Sequence, residues 1–181
     1  GALGVDTVTT TGDIGSTVAA AALQISNAEL VTIAGTANYI DGSNLNNVGV
    51  LGFTNGSGSS TLTSMPAGTA IGLGVVAAES TSTYTLSLAD ATGDDDALSL
   101  VYGSGIDSGT SNTLVVAGVE TLNVKASAEK DNDVTSTLVL TNASVSTIKV
   151  TGGHSGDPTD LGTLNKATTT VSAGTNKGAG D

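Results

Sequence analysis

At 181 residues, with 17 acids, five bases and neither Cys nor Trp, the chain is long enough to build a β-rich core without a disulfide or metal staple. A formal net charge of -12 and an aromatic content of 2% exclude a nucleic-acid groove, which needs the opposite sign and stacking rings. The absence of thiols removes thiolate metal sites, the single His leaves little for transition metals, and no apolar run is long enough to predict a membrane-inserting span.

Residues 1–22 are rich in Thr, Ala and Gly, and read as an irregular lead-in with one short strand at Val5-Asp6-Thr7-Val8. Residues 23–173 form a β-rich repeat domain, and 174–181 a frayed linker. The Gly1 start and the Gly178-Ala179-Gly180-Asp181 end read as cuts through a longer repetitive polypeptide. Within the domain, strands are expected near 23–25, 30–34 and 48–53, stopped by turn chemistry at Gly35, Asp41-Gly42 and Asn55-Gly56. A period of two points Ile25, Leu30, Ile33, Val48 and Val50 inward and Thr32 outward. Residues 56–60 read as a loop before Thr61-Leu62-Thr63 resumes a strand.

Strands at 83–89 and 97–102 are the clearest. Tyr84, Leu86 and Leu88 share one face, as do Leu98, Leu100 and Tyr102, and the acidic turn 90–96 between them predicts a hairpin insertion. A pair of short strands at 113–117 and 121–126 follows, then 137–141 and a strand ending at Val150. A Gly, His, Asp and Pro loop covers 152–160, and Leu161, Leu164 and Val171 mark a last rung. Asn27-Ala28-Glu29-Leu30 and Gly118-Val119-Glu120-Thr121 repeat one grammar of turn residue, apolar residue, acid and strand. Short strands at regular spacing predict an all-β fold, a β-solenoid (parallel β-helix-like) stack, with a β-sandwich as the alternative because both share the strand period.

Turns between short strands bring carboxylates and carbonyls together, which suits Ca²⁺ and its roughly 6–8 oxygen ligands. Asp94, Asp95 and Asp96 are the first candidates, although three adjacent carboxylates repel unless solvated or neutralised. Glu120 and Glu29, flanked by apolar residues before a strand, must meet a cation or cap a turn. Asp131-Asn132-Asp133 opens like an EF-hand loop but lacks its later Gly and Glu, so it supplies ligands only to a site of another kind. Asp90, Asp157 and Asp160 lie in acidic turns that read first as solvated, and so does Asp107, which is still counted with Asp94, Asp95, Asp96, Glu120, Glu29, Asp131 and Asp133 among the candidate calcium ligands. Catalysis is not expected: His154 is the only His, and in Gly153-His154-Ser155-Gly156-Asp157 an Asp stands where a nucleophile elbow needs its second Gly.

Val116-Ala117-Gly118-Val119-Glu120-Thr121-Leu122-Asn123-Val124, then Leu138-Val139-Leu140-Thr141 and Ser146-Thr147-Ile148-Lys149-Val150-Thr151-Gly152, resemble in order the crystallising C-terminal region of bacterial surface-layer (S-layer) proteins of the Caulobacter type. Thr85-Leu86-Ser87-Leu88-Ala89-Asp90-Ala91-Thr92-Gly93 fits the same resemblance, which runs from about Ala28 to Ala173, and related repeats occur in large RTX-type adhesins. The resemblance implies a type I-secreted, calcium-loaded, self-assembling structural protein on the surface of a Gram-negative cell. Its partners would be copies of itself and, through parts not matched in this chain, lipopolysaccharide. The RTX calcium nonapeptide is only half present, since Gly103-Ser104-Gly105-Ile106-Asp107-Ser108 lacks the leading Gly and the trailing apolar residue. The alternative function is a spacer or binding segment of an RTX-type adhesin.

Overall fold

The computed structural model describes residues 6–10, 14, 24–54, 58–73, 82–102, 111–126, 137–141, 144–152 and 170–173. In chain order these give β1 (Thr7–Thr9), β2 (Ile25–Ala34), β3 (Ala37–Asp41), a 3-10 turn (Gly42–Asn44), β4 (Leu45–Thr54), β5 (Gly58–Met65), β6 (Ala70–Leu73), β7 (Ser82–Leu88), β8 (Ala97–Tyr102), β9 (Ser111–Ala117), β10 (Thr121–Ala126), β11 (Thr137–Thr141), β12 (Thr147–Gly152) and β13 (Thr170–Ala173). An eight-stranded sheet runs β1-β2-β4-β6-β8-β10-β12-β13, and a five-stranded sheet runs β11-β9-β7-β5-β3.

Every strand pairing is parallel. From β2 to β11 the chain lays one strand in the larger sheet, turns a corner, lays the next in the smaller sheet and turns back, so each sheet serves as the other's crossover connection. This is a parallel β-solenoid, and the sandwich alternative falls because a sandwich of this kind is joined by antiparallel pairs.

Register turns single residues into columns along the solenoid. Val31, Leu51, Ile71, Leu100 and Val124 stack in successive strands of the larger sheet and are essentially solvent-free. Ile40, Leu62, Leu86 and Val116 stack likewise in the smaller sheet. β-Branched and leucine side chains fill these columns because they suit a pleated surface whose neighbours repeat at each rung. Phe53 and Tyr84 bridge the two sheets, with ring centroids 4.9 Å apart and planes tilted by 56°, within the favourable range for aromatic pairs.

Three sequence expectations are corrected. The hairpin insertion at 83–102 is not formed: β7 lies in the smaller sheet and β8 in the larger, each pairing in parallel with strands of other rungs. The acidic turn 90–96 is therefore a solenoid corner, and the strands at 113–117 and 121–126, now β9 and β10, also belong to different sheets. Secondly, Leu30 and Val50 are only half-buried, Thr32 is 7% exposed, and Val31 and Leu51 point inward instead. Asn27 and Asn47 both adopt φ 55°, a left-handed bend that leaves two outward residues ahead of the buried Ala28 and Val48, and a second pair, Glu29-Leu30 and Gly49-Val50, precedes Val31 and Leu51. Thirdly, residues 58–60 belong to β5 rather than a loop, and β3 is a strand the turn signals around it did not announce.

Candidate functional site

The described acids gather at one corner of the solenoid, where the smaller sheet hands the chain back to the larger. Asp41 ends β3, Asp90, Asp94, Asp95 and Asp96 lie between β7 and β8, and Glu120 lies between β9 and β10. Asp6, just ahead of β1, and Glu29, within β2, lie on the larger-sheet side of that corner. The described lysines, Lys125 and Lys149, are exposed on β10 and β12, further along the larger sheet. The result, among the described residues, is an acidic seam along the long axis with the two lysines set away from it.

Two pairs of acids build this seam through the same local device. The Glu120 carboxylate accepts a hydrogen bond from the backbone N–H of Asp96 on the preceding rung (3.1 Å). In return, the N–H groups of Glu120 and Thr121 both donate to the Asp96 carbonyl (2.9 and 3.0 Å). One rung away, the N–H groups of Ser146 and Thr147 donate to the Glu120 carbonyl at 2.9 and 3.0 Å. Glu29 does the same for Asp6: its carboxylate accepts from the Asp6 N–H at 2.8 Å, and Leu30 N–H donates to the Asp6 carbonyl at 3.2 Å. A glutamate here ties off backbone donors at a corner, where strand ladders leave them unpaired. The shared grammar of Glu29 and Glu120 thus has a structural cause.

The two glutamates are nevertheless not in one column. Asn27, Asn47, Asp96, Glu120 and Ser146 occupy equivalent positions ahead of the stacked Val31, Leu51, Leu100, Val124 and Val150, whereas Glu29 sits opposite Gly49. At the Asn end of the column the side chains bond to each other, Asn47 Nδ2 donating to Asn27 Oδ1 at 3.1 Å.

The remaining described acids are held locally. Asp96 also accepts from Gly93 N–H through Oδ2 (3.1 Å), which orders the tight acidic turn. Asp90 Oδ1 accepts from the Thr92 hydroxyl (2.7 Å) and the Thr92 N–H (3.2 Å), and these bonds lower its pKa below the ordinary aspartate value. Asp41 Oδ1 accepts from Ser43 N–H at 3.0 Å and caps the 3-10 turn. Asp94 and Asp95 are exposed.

Among the described residues no three acid or His side chains converge as a ready cation cage. Asp96 and Glu120 stand on neighbouring rungs, so among the described residues they alone of the expected ligands are brought together on adjacent rungs, with Asp94 and Asp95 in the same turn as Asp96. Such a set fits calcium only as a shallow site completed by carbonyls and water. Asp107, Asp131, Asp133, Asp157, Asp160 and His154 lie outside the described residues. Sequence reasoning missed Asp6, whose partner is 23 residues away along the chain and carries no local signal. No family model, no curated protein and no solved structure matches the chain.

Proposed function

We propose that this chain is a structural segment of a secreted, calcium-dependent, self-assembling cell-surface lattice of the S-layer kind. The observation that carries the reading is the collection of described acids on one seam of a parallel β-solenoid. Like charges repeated along a seam repel both within a chain and between chains, and a net charge of -12 keeps copies apart until it is neutralised. Calcium in the corners, taken by Asp96 and Glu120 with Asp94 or Asp95, would remove that repulsion and leave a stiff rod able to pack with copies of itself. A cation that binds only the folded or assembled state stabilises that state by mass action. With two carboxylates already engaged by backbone N–H groups, affinity in the weak range of extracellular calcium modules is expected.

The test is a calcium titration followed together by circular dichroism and light scattering, with magnesium as the control. A calcium-specific rise in particle size, reduced in Glu120→Gln and Asp96→Asn, supports the lattice reading. An unchanged particle size at millimolar calcium removes calcium-driven assembly and leaves a passive β spacer.

A further inference from the structure

The outer face of the five-stranded sheet differs from the rest of this acidic molecule. Apart from Asp41 at its seam edge, no residue of β3, β5, β7, β9 or β11 is charged. In β5, β7 and β9 the inward positions are Ser60, Leu62, Tyr84, Leu86, Leu114 and Val116, all buried. The alternate, outward positions of β5 and β7 carry hydroxyls, as does Thr113 on β9, where Val115, the register partner of Thr85, and Ala117 close the array with apolar groups. Ser59, Thr83 and Thr113 pair across three strands, and Thr61 pairs with Thr85 beside them without a register shift.

These five hydroxyls are half-buried or exposed, and none has a hydrogen-bond partner among the described residues. They form a two-dimensional array whose spacings follow from strand geometry: about 4.7–4.9 Å between rungs and about 6.6 Å between alternate residues of one strand. Each Thr presents a methyl beside its hydroxyl, so a water can be hydrogen-bonded and packed in one position. An array of such waters is a template for an ordered water lattice.

Other occupants fit this face less well. Protein interfaces are anchored by aromatic and Arg side chains and are depleted in Ser. Here the described part of the face offers only Tyr39, on the terminal strand. Sugars bound by proteins need polar groups converging in a concavity or a ring to stack on, and a flat parallel array supplies neither. A ligand with its own two-dimensional repeat of hydrogen-bonding groups is what remains. The oxygen repeats on the prism faces of hexagonal ice differ from the two strand spacings by only about a tenth. We propose that the Ser59, Thr61, Thr83, Thr85 and Thr113 array binds the surface of ice. This activity is independent of the seam and of calcium.

The experiment grows ice slowly in solutions of the whole chain, measures how much protein partitions into the solid, and follows recrystallisation of fine ice in parallel. The intact chain is expected to enter ice and slow recrystallisation. Thr85→Lys, and more completely the Thr61→Lys/Thr85→Lys pair, should lose both effects while keeping the β circular dichroism spectrum. Asn123→Lys, on the other sheet, should keep both effects. Exclusion of the folded, unsubstituted chain from ice overturns the proposal. So does self-association of the chain that Thr61→Lys/Thr85→Lys abolishes without any ice partition, because it assigns the face to a second copy.

Discussion

Asn112 on β9 is fully buried, yet neither its Oδ1 nor its Nδ2 has a hydrogen-bond partner. Such a group pays for desolvation without compensation, at about 1–3 kcal/mol for each unsatisfied donor or acceptor. Leucine has the same branched skeleton of heavy atoms but bulkier methyls, and overpacking of a close-packed site costs about 1–3 kcal/mol. The register neighbours are Ser82 on one side and Leu138 on the other, so the column already carries a leucine one rung on. Asn112→Leu is therefore expected to stabilise the fold by about 2 kcal/mol, the desolvation term less the repacking cost. For a chain of this size that is a rise in thermal midpoint of about 4–8 °C. Asn112→Ala, which removes the amide but leaves a void, should gain less or nothing. The assay is thermal and urea unfolding of the three chains side by side. A fall in midpoint for Asn112→Leu with unchanged urea slope would refute the argument, showing that the amide is satisfied in solution.

Three further outcomes test the corner architecture. Glu120→Ala removes the acceptor for Asp96 N–H and should cost about 1–2 kcal/mol in urea unfolding. Glu120→Gln keeps an acceptor and should cost less than half as much while still weakening any calcium response, so equal losses would show that charge, not backbone capping, is the role of this side chain. Gly118 has φ 65°, and an added Cβ would stand 2.6 Å from Ala91 Cβ on the preceding rung, so Gly118→Ala should destabilise by about 1–3 kcal/mol. A neutral result in the same unfolding assay would mean that the corner relaxes freely. Because the folded-state pKa of Asp90 is lowered by Thr92, its stabilising bonds are present at neutral pH and are lost as pH falls through that lowered value. Thr92→Val should move the carboxyl resonance titration of Asp90 upward toward the ordinary aspartate range, and an unmoved titration would dismiss the Thr92 hydroxyl as its cause.

The sequence by itself determined that the chain is β-rich, where most turns fall, and that Glu29 and Glu120 share a local grammar. These are local properties: alternation of apolar side chains, left-handed or bend-forming Gly and Asn, and acids placed just ahead of a strand. Tyr84, Leu86 and Leu88 turned inward as the period of two requires, because nothing within β7 interrupts it. The period failed in β2 and β4, where the left-handed Asn27 and Asn47 moved the inward set to Ala28 and Val48, and the alternation broke again before Val31 and Leu51.

Only the tertiary structure decided which strands pair. An acidic turn between two amphipathic strands reads the same whether the chain folds back as a hairpin or turns a corner into another sheet. The choice depends on whether neighbouring rungs exist to cover each strand edge. The seam was hidden for the same reason, since Asp96 and Glu120 are 24 residues apart along the chain and meet only because one circuit of the solenoid has about that length. Sequence fixes what each residue can do at its own position, but closure of each circuit around a shared core decides which residues stand beside it.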